Sequence, residues 1–226
     1  MIYQTANTAC IANGSRLLED AGYLREYRCF PSGKALAILA QEEFAKAYLL
    51  RLVDEQAIPD CPEVHRACRD HVCKHLVAVI MIHLFTPWDD VLAREKAIRE
   101  AQGNFPFPAK VADAINILVH EKLRKWRSQN SFWLDDSDYD KTAKSIWKGS
   151  IDQSKQNSLY IGIGKDGSVI NVPTADEAEV VKELEIAGVL KDVAEGNDVF
   201  AYSEKDYVKR VLAEMFRGFS EETPSG

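Results

Sequence analysis

The sequence predicts a mainly all-α protein: an up-and-down helical bundle with a small β-hairpin and a C-terminal helical pair. Three observations carry this reading. Apolar residues recur at three- and four-residue steps over most of the first 130 positions. Two short β-prone runs flank the turn Gly164-Lys165-Asp166-Gly167. Connections between the periodic segments are mostly short, which favours antiparallel neighbours.

The elements follow in order. Residues 8–28 place Cys10, Ile11, Leu17, Leu18, Ala21, Leu24 and Tyr27 at helical spacing. Pro31 then suits a first helical position, where a missing N–H costs nothing. Residues 32–54 form the next helix, apolar on nearly every side through Ile38, Phe44, Leu49 and Leu52, as a central helix is. Pro59 and Pro62 interrupt the chain. Residues 63–85 read as one third helix, His-rich at first and strongly apolar from Leu76. Thr86-Pro87-Trp88-Asp89 opens a short charged helix to about Gln102, and 103–108 is a loop. Helical spacing resumes over 109–127 and stops at the polar stretch Ser131–Asp140. Leu159–Ile163 and Ser168–Val172 are the hairpin strands. Thr174 with Glu177 forms a capping box for a helix to Leu190, a final helix covers 203–217, and Glu221–Gly226 frays. The expected organisation is a helical core at 1–130, a loop plus hairpin extension at 131–173 packed on it, and an acidic helical pair at 174–226.

Composition excludes several classes. The chain has 226 residues, 46% hydrophobic and 28% charged, as a soluble globular protein has and a disordered one has not. The longest uncharged apolar run, Leu76 to Trp88, is 13 residues against the ~20 a spanning helix needs, so no membrane association is expected. The N-terminus has no basic region before an apolar core, and the expected location is cytoplasmic. Five cysteines without an export signal read as reduced thiols. The net charge of −7 resides in the tail: residues 174–226 carry 6 Lys+Arg against 13 Asp+Glu, and the rest balances at 22 of each. A balanced body leaves RNA open as a partner.

Two groups of residues stand out. Glu42, Glu43 and Lys46 lie in the middle of the most apolar helix, on faces shared with Ile38, Leu39 and Leu50, and Lys46 is spaced to reach either carboxylate. They are expected to lie partly inside the bundle. Residues 61–75 gather three histidines, three cysteines and three cations. Arg66 precedes His71 with four residues between, and Arg69 precedes His75 with five. A histidine near neutrality can move the 2′-hydroxyl proton of RNA while an arginine stabilises the phosphorane-like charge, with no metal. On one uninterrupted helix neither pair shares a face. Cys61, Cys68, His71 and His75 also suggest zinc, but no Cys-x-x-Cys pair is present and the spacing is helical; no metal and no cofactor are expected. Gly162-Ile163-Gly164 opens no helix and is no dinucleotide loop. Trp126, Trp133, Trp147 and Tyr160 could stack on bases, with packing around the hairpin as the competing reading.

Asn13-Gly14-Ser15-Arg16-Leu17-Leu18-Glu19-Asp20-Ala21, followed by Ser32-Gly33-Lys34-Ala35-Leu36 and on to Gln41-Glu42-Glu43-Phe44-Ala45-Lys46, resembles the AbiV family of bacterial abortive-infection proteins. Asp70-His71-Val72-Cys73-Lys74 is similar to that family's His-x-x-Lys. Lys155 through Leu159-Tyr160-Ile161, with Asp166-Gly167 and Pro173, is similar to its hairpin block. Phe44-Ala45 departs from the glycine that members often carry before the lysine, and the last 50 residues add nothing to the resemblance. The resemblance implies a HEPN-like bundle, commonly a homodimer, in anti-phage defence. It also singles out Glu42, Glu43, Lys46, Lys74, Lys155 and Tyr160 as motif residues. Unspent apolar surface on the second helix and the Leu76–Trp88 stretch likewise suggests a dimer formed through the bundle.

Three functions compete. The favoured one is a defence protein that binds a phage or host protein, or a translation component. The alternative is a metal-independent HEPN-type endoribonuclease using Arg66 or Arg69 with His71 or His75. The third is a helical scaffold without catalysis.

Overall fold

The computed structural model describes residues 2–85, 108–128, 139–196, 209–213, 216, 217 and 219. The charged helix expected after Thr86, most of Ser131–Asp140 and part of the last helix lie outside these residues. Within them the protein is mainly α-helical with one two-stranded antiparallel sheet.

Helix α1 spans Gln4–Glu26 and α2 spans Phe30–Asp54, with Pro31 in its first turn. Helix α2 is central, as its all-round apolarity predicts. It packs against α1, α3 (Pro62–Arg69), α4 (His71–Phe85), α8 (Ser150–Leu159) and α9 (Glu177–Glu195). Helix α5 (Ala109–Asn116) continues through a wider π-helical stretch, Ile117–Arg124, into α6 (Lys125–Ser128). Helix α7 covers Lys141–Trp147. Strands β1 (Gly162–Ile163) and β2 (Val169–Asn171) make the hairpin. Residues 209–213, 216, 217 and 219 are helical, and Phe216 and Phe219 are buried.

Three sequence expectations are corrected. The single helix at 63–85 is two. Asp70 leaves helical geometry at ψ 122°, and its Oδ1 accepts the Cys73 amide at 3.1 Å, which caps α4. The loop expected before the hairpin is helical over Lys141–Leu159. Asp140 caps α7 by accepting the Thr142 and Ala143 amides, and Gly149, at φ +82°, ends that turn in the left-handed region that glycine tolerates. Tyr160 therefore ends a helix instead of lying in a strand. The capping box of α9 is Asp176 with Glu179, not Thr174 with Glu177, and the helix continues past Leu190 to Glu195. Lys46, spaced to reach either carboxylate, pairs with Glu43 at 2.7 Å.

Polar side chains lock α9 onto α2. Lys34 meets Glu179 at 2.5 Å, Gln41 donates to the Glu183 carbonyl and carboxylate, and Arg51 donates to the Ala194 carbonyl. On the other flank, Gly14 lets α1 approach the fully buried Phe44: a β-carbon there would stand 2.7 Å from Phe44 Cε1. Gly14→Ala is expected to destabilise the protein by about 1–3 kcal/mol through overpacking. Gly22→Ala on the same helix meets nothing within 4 Å. It should stabilise by up to ~1 kcal/mol through helix propensity. Urea denaturation of the two variants should give opposite signs.

Candidate functional site: a buried carboxylate in a cationic cage

The break at Asp70 builds this site. It restarts the helix at His71, so His71, Lys74 and His75 follow at i, i+3 and i+4 on one face of α4. That face looks at Glu42 on α2. Glu42 Oε2 accepts from Lys74 Nζ at 2.6 Å and lies 2.6 Å from His71 Nδ1. Glu42 Oε1 accepts from Lys155 Nζ of α8 at 2.6 Å, and His75 Nε2 stands 3.5 Å away. Glu42 is 2% exposed. Burial alone would push its carboxyl upward, but the neighbouring His75 and the hydrogen bonds from Lys155 and Lys74 outweigh that and hold it far below the ordinary glutamate value.

Lys155 has a second anion. Its ammonium lies 2.8 Å from Asp152, one turn earlier on α8, and 3.2 Å from His71 Nδ1. Burial lowers its affinity for a proton, and the bonds to Asp152 and Glu42 more than restore it, so its pKa is raised. Two carboxylates thus face two ammonium groups. With neutral histidines the cluster carries no net charge, and a protonated His71 makes it cationic. His71 is the member open to solvent, its side chain 49% exposed, whereas Lys74 and Lys155 are buried. The short contact to the carboxylate assigns the imidazole proton to Nδ1, which leaves Nε2 as the free acceptor. His75 is buried beside the cluster, and among the described residues neither of its ring nitrogens makes a hydrogen bond.

One ligand set for a metal exists among the described residues. Oxygen and nitrogen atoms of Glu42, His71 and Asp152 lie within 4.8 Å of one another. The Lys155 ammonium contacts all three, so a lysine takes the position a cation would take. The cysteines do not join this set. Burial pushes the Cys61 and Cys68 thiols up to about 11 and Cys73 to about 12, which keeps them protonated.

The other residues singled out in the sequence lie apart. Arg66 pairs with Asp70 at 3.0 Å, and Asp70 also holds Lys122 at 3.1 Å. Arg69 donates to the His65 carbonyl. Among the described residues, neither arginine hydrogen-bonds His71 or His75. Glu43 and Lys46 form a half-buried pair of their own. Tyr160 is exposed at the end of α8. Trp147 packs edge-on against Tyr139, Trp126 is partly exposed, and Trp133 lies outside the described residues. Asp152, which completes the cluster, was not singled out in the sequence. Its signal was its i, i+3 spacing to Lys155, visible only once that segment is read as a helix.

Glu42→Gln would leave two buried ammonium groups facing a neutral amide, and is expected to cost on the order of 3–5 kcal/mol in denaturant unfolding. The sign with pH follows from the two shifts. Glu42, with a lowered value, contributes fully above the ordinary glutamate value of 4.5, and loses that contribution as pH falls through its folded value. Lys155, with a raised value, contributes fully below 10.5 and loses it as pH rises through its folded value. Wild-type stability should therefore stay level on this account between those limits, and Glu42→Gln should flatten the acid limb. Lys155→Ala should open the three-ligand set, so that zinc titrated calorimetrically into the variant gives a binding isotherm absent from the wild type.

The AbiV family model (HEPN_AbiV) matches residues 2–191. No curated protein and no solved structure matches the chain. Glu42, His71, Lys74, His75, Asp152 and Lys155 all fall inside the matched stretch, which ends within α9. The chain belongs to the AbiV family, and is thus broadly an abortive-infection protein of the HEPN type.

Proposed function

We propose that this protein acts in anti-phage defence as a metal-independent endoribonuclease centred on His71. The observation that supports the reading is a half-exposed imidazole whose Nδ1 is held 2.6 Å from a buried carboxylate, with an ammonium 3.2 Å from the same atom. Glu42 fixes the tautomer and stabilises the imidazolium that proton abstraction creates. His71 Nε2 takes the proton of a ribose 2′-hydroxyl, the 2′-oxygen closes on the adjacent phosphorus, and the imidazolium returns the proton to the departing 5′-oxygen. Once His71 carries the proton the cluster is cationic, and that charge offsets the charge that builds on the phosphoryl oxygens. In this reading Arg66 and Arg69, already satisfied by Asp70 and the His65 carbonyl, serve α3 and its junction with α4 and not the chemistry.

The test is cleavage of single-stranded RNA by purified protein in chelator. His71→Ala should lower the rate by ~10²–10⁴-fold, the usual worth of a positioned acid–base group. It should leave the unfolding midpoint nearly unchanged, because the side chain is half outside. Arg69→Ala should retain activity. Phage plating with the same variants connects the chemistry to defence. Defence that survives His71→Ala, with no RNA cleavage by the wild type, would replace this reading with action by partner binding.

A further inference from the structure

Away from the Glu42 cluster, a cavity of about 490 Å³ opens where α2 ends, between the turn into α3 and the last helical residues. That volume lies in the range of small-molecule sites. Its wall is mixed: Ile2, Val53, Ile58 and Pro59 give an apolar side, and Asp54, Asp60 and Arg217 bring charge.

The chain shapes this space from both sides. Helix α2 stops in a turn in which the Gln56 amide donates to the Val53 carbonyl and the Ala57 amide to the Leu52 carbonyl, with Gln56 at φ +56° in the left-handed region. Ile58 and Pro59 then lead to α3, which starts at Pro62. The last helical residues are fixed beside this turn. Lys209 pairs with Glu55, Arg127 donates to the Phe219 carbonyl, and Leu212, Phe216 and Phe219 are buried. Ala213 follows Lys209 by four residues, on the same side of the helix, and Arg217 stands four residues further on. A small residue between two long cations leaves the space open. Ala213 and Arg217 lie beyond the stretch that the family model matches.

The charges in the wall are not spent on each other. Asp54 Oδ1 accepts the Tyr3 amide at 2.9 Å, and Asp60 holds the Tyr3 hydroxyl and His65 Nε2, each at 2.9 Å. Among the described residues no cation pairs with Asp54, and no carboxylate pairs with Arg217. The neighbouring cations Arg51 and Lys209 are both taken by Glu55. Asp54 also stands in the last turn of the 25-residue α2, at the negative end of its dipole, where a cation is favoured and a carboxylate is not. One cavity thus brings together an unpaired carboxylate at a negative helix end, an unpaired guanidinium and an apolar wall.

We propose that this cavity binds a small aliphatic zwitterion, the chemistry of a free apolar amino acid. Its ammonium meets Asp54, its carboxylate meets Arg217, and its side chain lies against Val53, Ile58 and Pro59. An uncharged apolar ligand would cover both charges without giving either a partner, which costs free energy. A polyanion would face Asp54, Asp60 and the negative helix end. The zwitterion satisfies each group: an ammonium for the carboxylate, a carboxylate for the planar donors of the guanidinium, and an alkyl chain for the wall. The site shares no residue with the Glu42 cluster and does not rest on the ribonuclease reading.

Calorimetric titration of the full chain with L-leucine should show one saturable site per chain, with a dissociation constant of about 1 mM or lower. Isoamylamine, which is leucine without its carboxylate, should bind about tenfold more weakly or worse. Arg217→Ala should weaken leucine by that factor and leave the amine unchanged. Asp54→Asn keeps an acceptor for the Tyr3 amide and should weaken both ligands. Ala213→Leu fills the space and should abolish both isotherms, with a urea midpoint no lower than that of the wild type. That midpoint separates a filled cavity from a lost fold. Leucine that gives no saturable heat up to about 10 mM overturns the inference. Leucine bound equally by the wild type, Arg217→Ala and Asp54→Asn overturns it as well, by placing the site elsewhere. An amine bound as tightly as leucine overturns the zwitterion and leaves an organic cation as the occupant.

Discussion

The arrangement of this protein depends on one buried charge. Glu42 sits in the middle of α2, where nearly every neighbour along the helix is apolar, and a carboxylate there costs several kcal/mol unless it is paired and hydrogen-bonded. The pairing comes from two distant parts of the chain, Lys74 on α4 and Lys155 on α8. Each bond is local, but together they fix how three helices meet. The consequence is largest for α8. Its buried residues are Lys155 and Ser158, with Ile151 alone as a half-buried apolar contact to the core. A helix with so little apolar surface is not held by hydrophobic burial. Its docking on α2 is set by where Lys155 finds its anions.

On the proposed reading, the same geometry suits the cluster to chemistry without a metal. A divalent ion would be held by oxygen and nitrogen atoms of Glu42, His71 and Asp152, and the lysine ammonium contacts those groups. An ammonium offers one positive charge and three donors on a flexible stem, whereas a metal imposes its own coordination angles. The lysine can neutralise Glu42 while His71 keeps its outward nitrogen free. The imidazole meets solvent, and the buried carboxylate holds it from below.

Much of this was legible in the sequence, though not as a site. Helix α2 was readable as central because apolar residues surround it, and Glu42, His71, Lys74, His75 and Lys155 were each singled out. What spacing could not convey was their convergence. The Arg-to-His pattern counts along the chain and assumes one helix, but Asp70 ends α3 and starts α4 and satisfies Arg66 at the i+4 position. That local pairing removed Arg66 from the argument. The i, i+3, i+4 relation of His71, Lys74 and His75 was available from the letters and becomes meaningful only with α4 starting at His71. Lys141–Leu159 read as loop because its helices are short and polar. Their signals were the Asp140 cap and the Gly149 stop, which are weak without a hydrophobic stripe between them. The hairpin was read from β-prone runs, and Tyr160 fell on its helical side because Asn171 caps the helix end there.

These features form one mechanical line. Glu42 holds Lys155, Lys155 places α8, and the end of α8 carries the hairpin, tied down by Asn171 at the Asn157 and Tyr160 carbonyls. Tyr160 follows Lys155 by five residues, about one and a half helical turns. Helix α8 meets the core through Lys155, the buried Ser158 and the half-buried Ile151. Stability across a structure is uneven, and an element with few buried apolar contacts is among the first to shift when loaded. In this fold that element also carries the ammonium beside His71. The hairpin and the ammonium beside His71 are thus carried by one helix, α8.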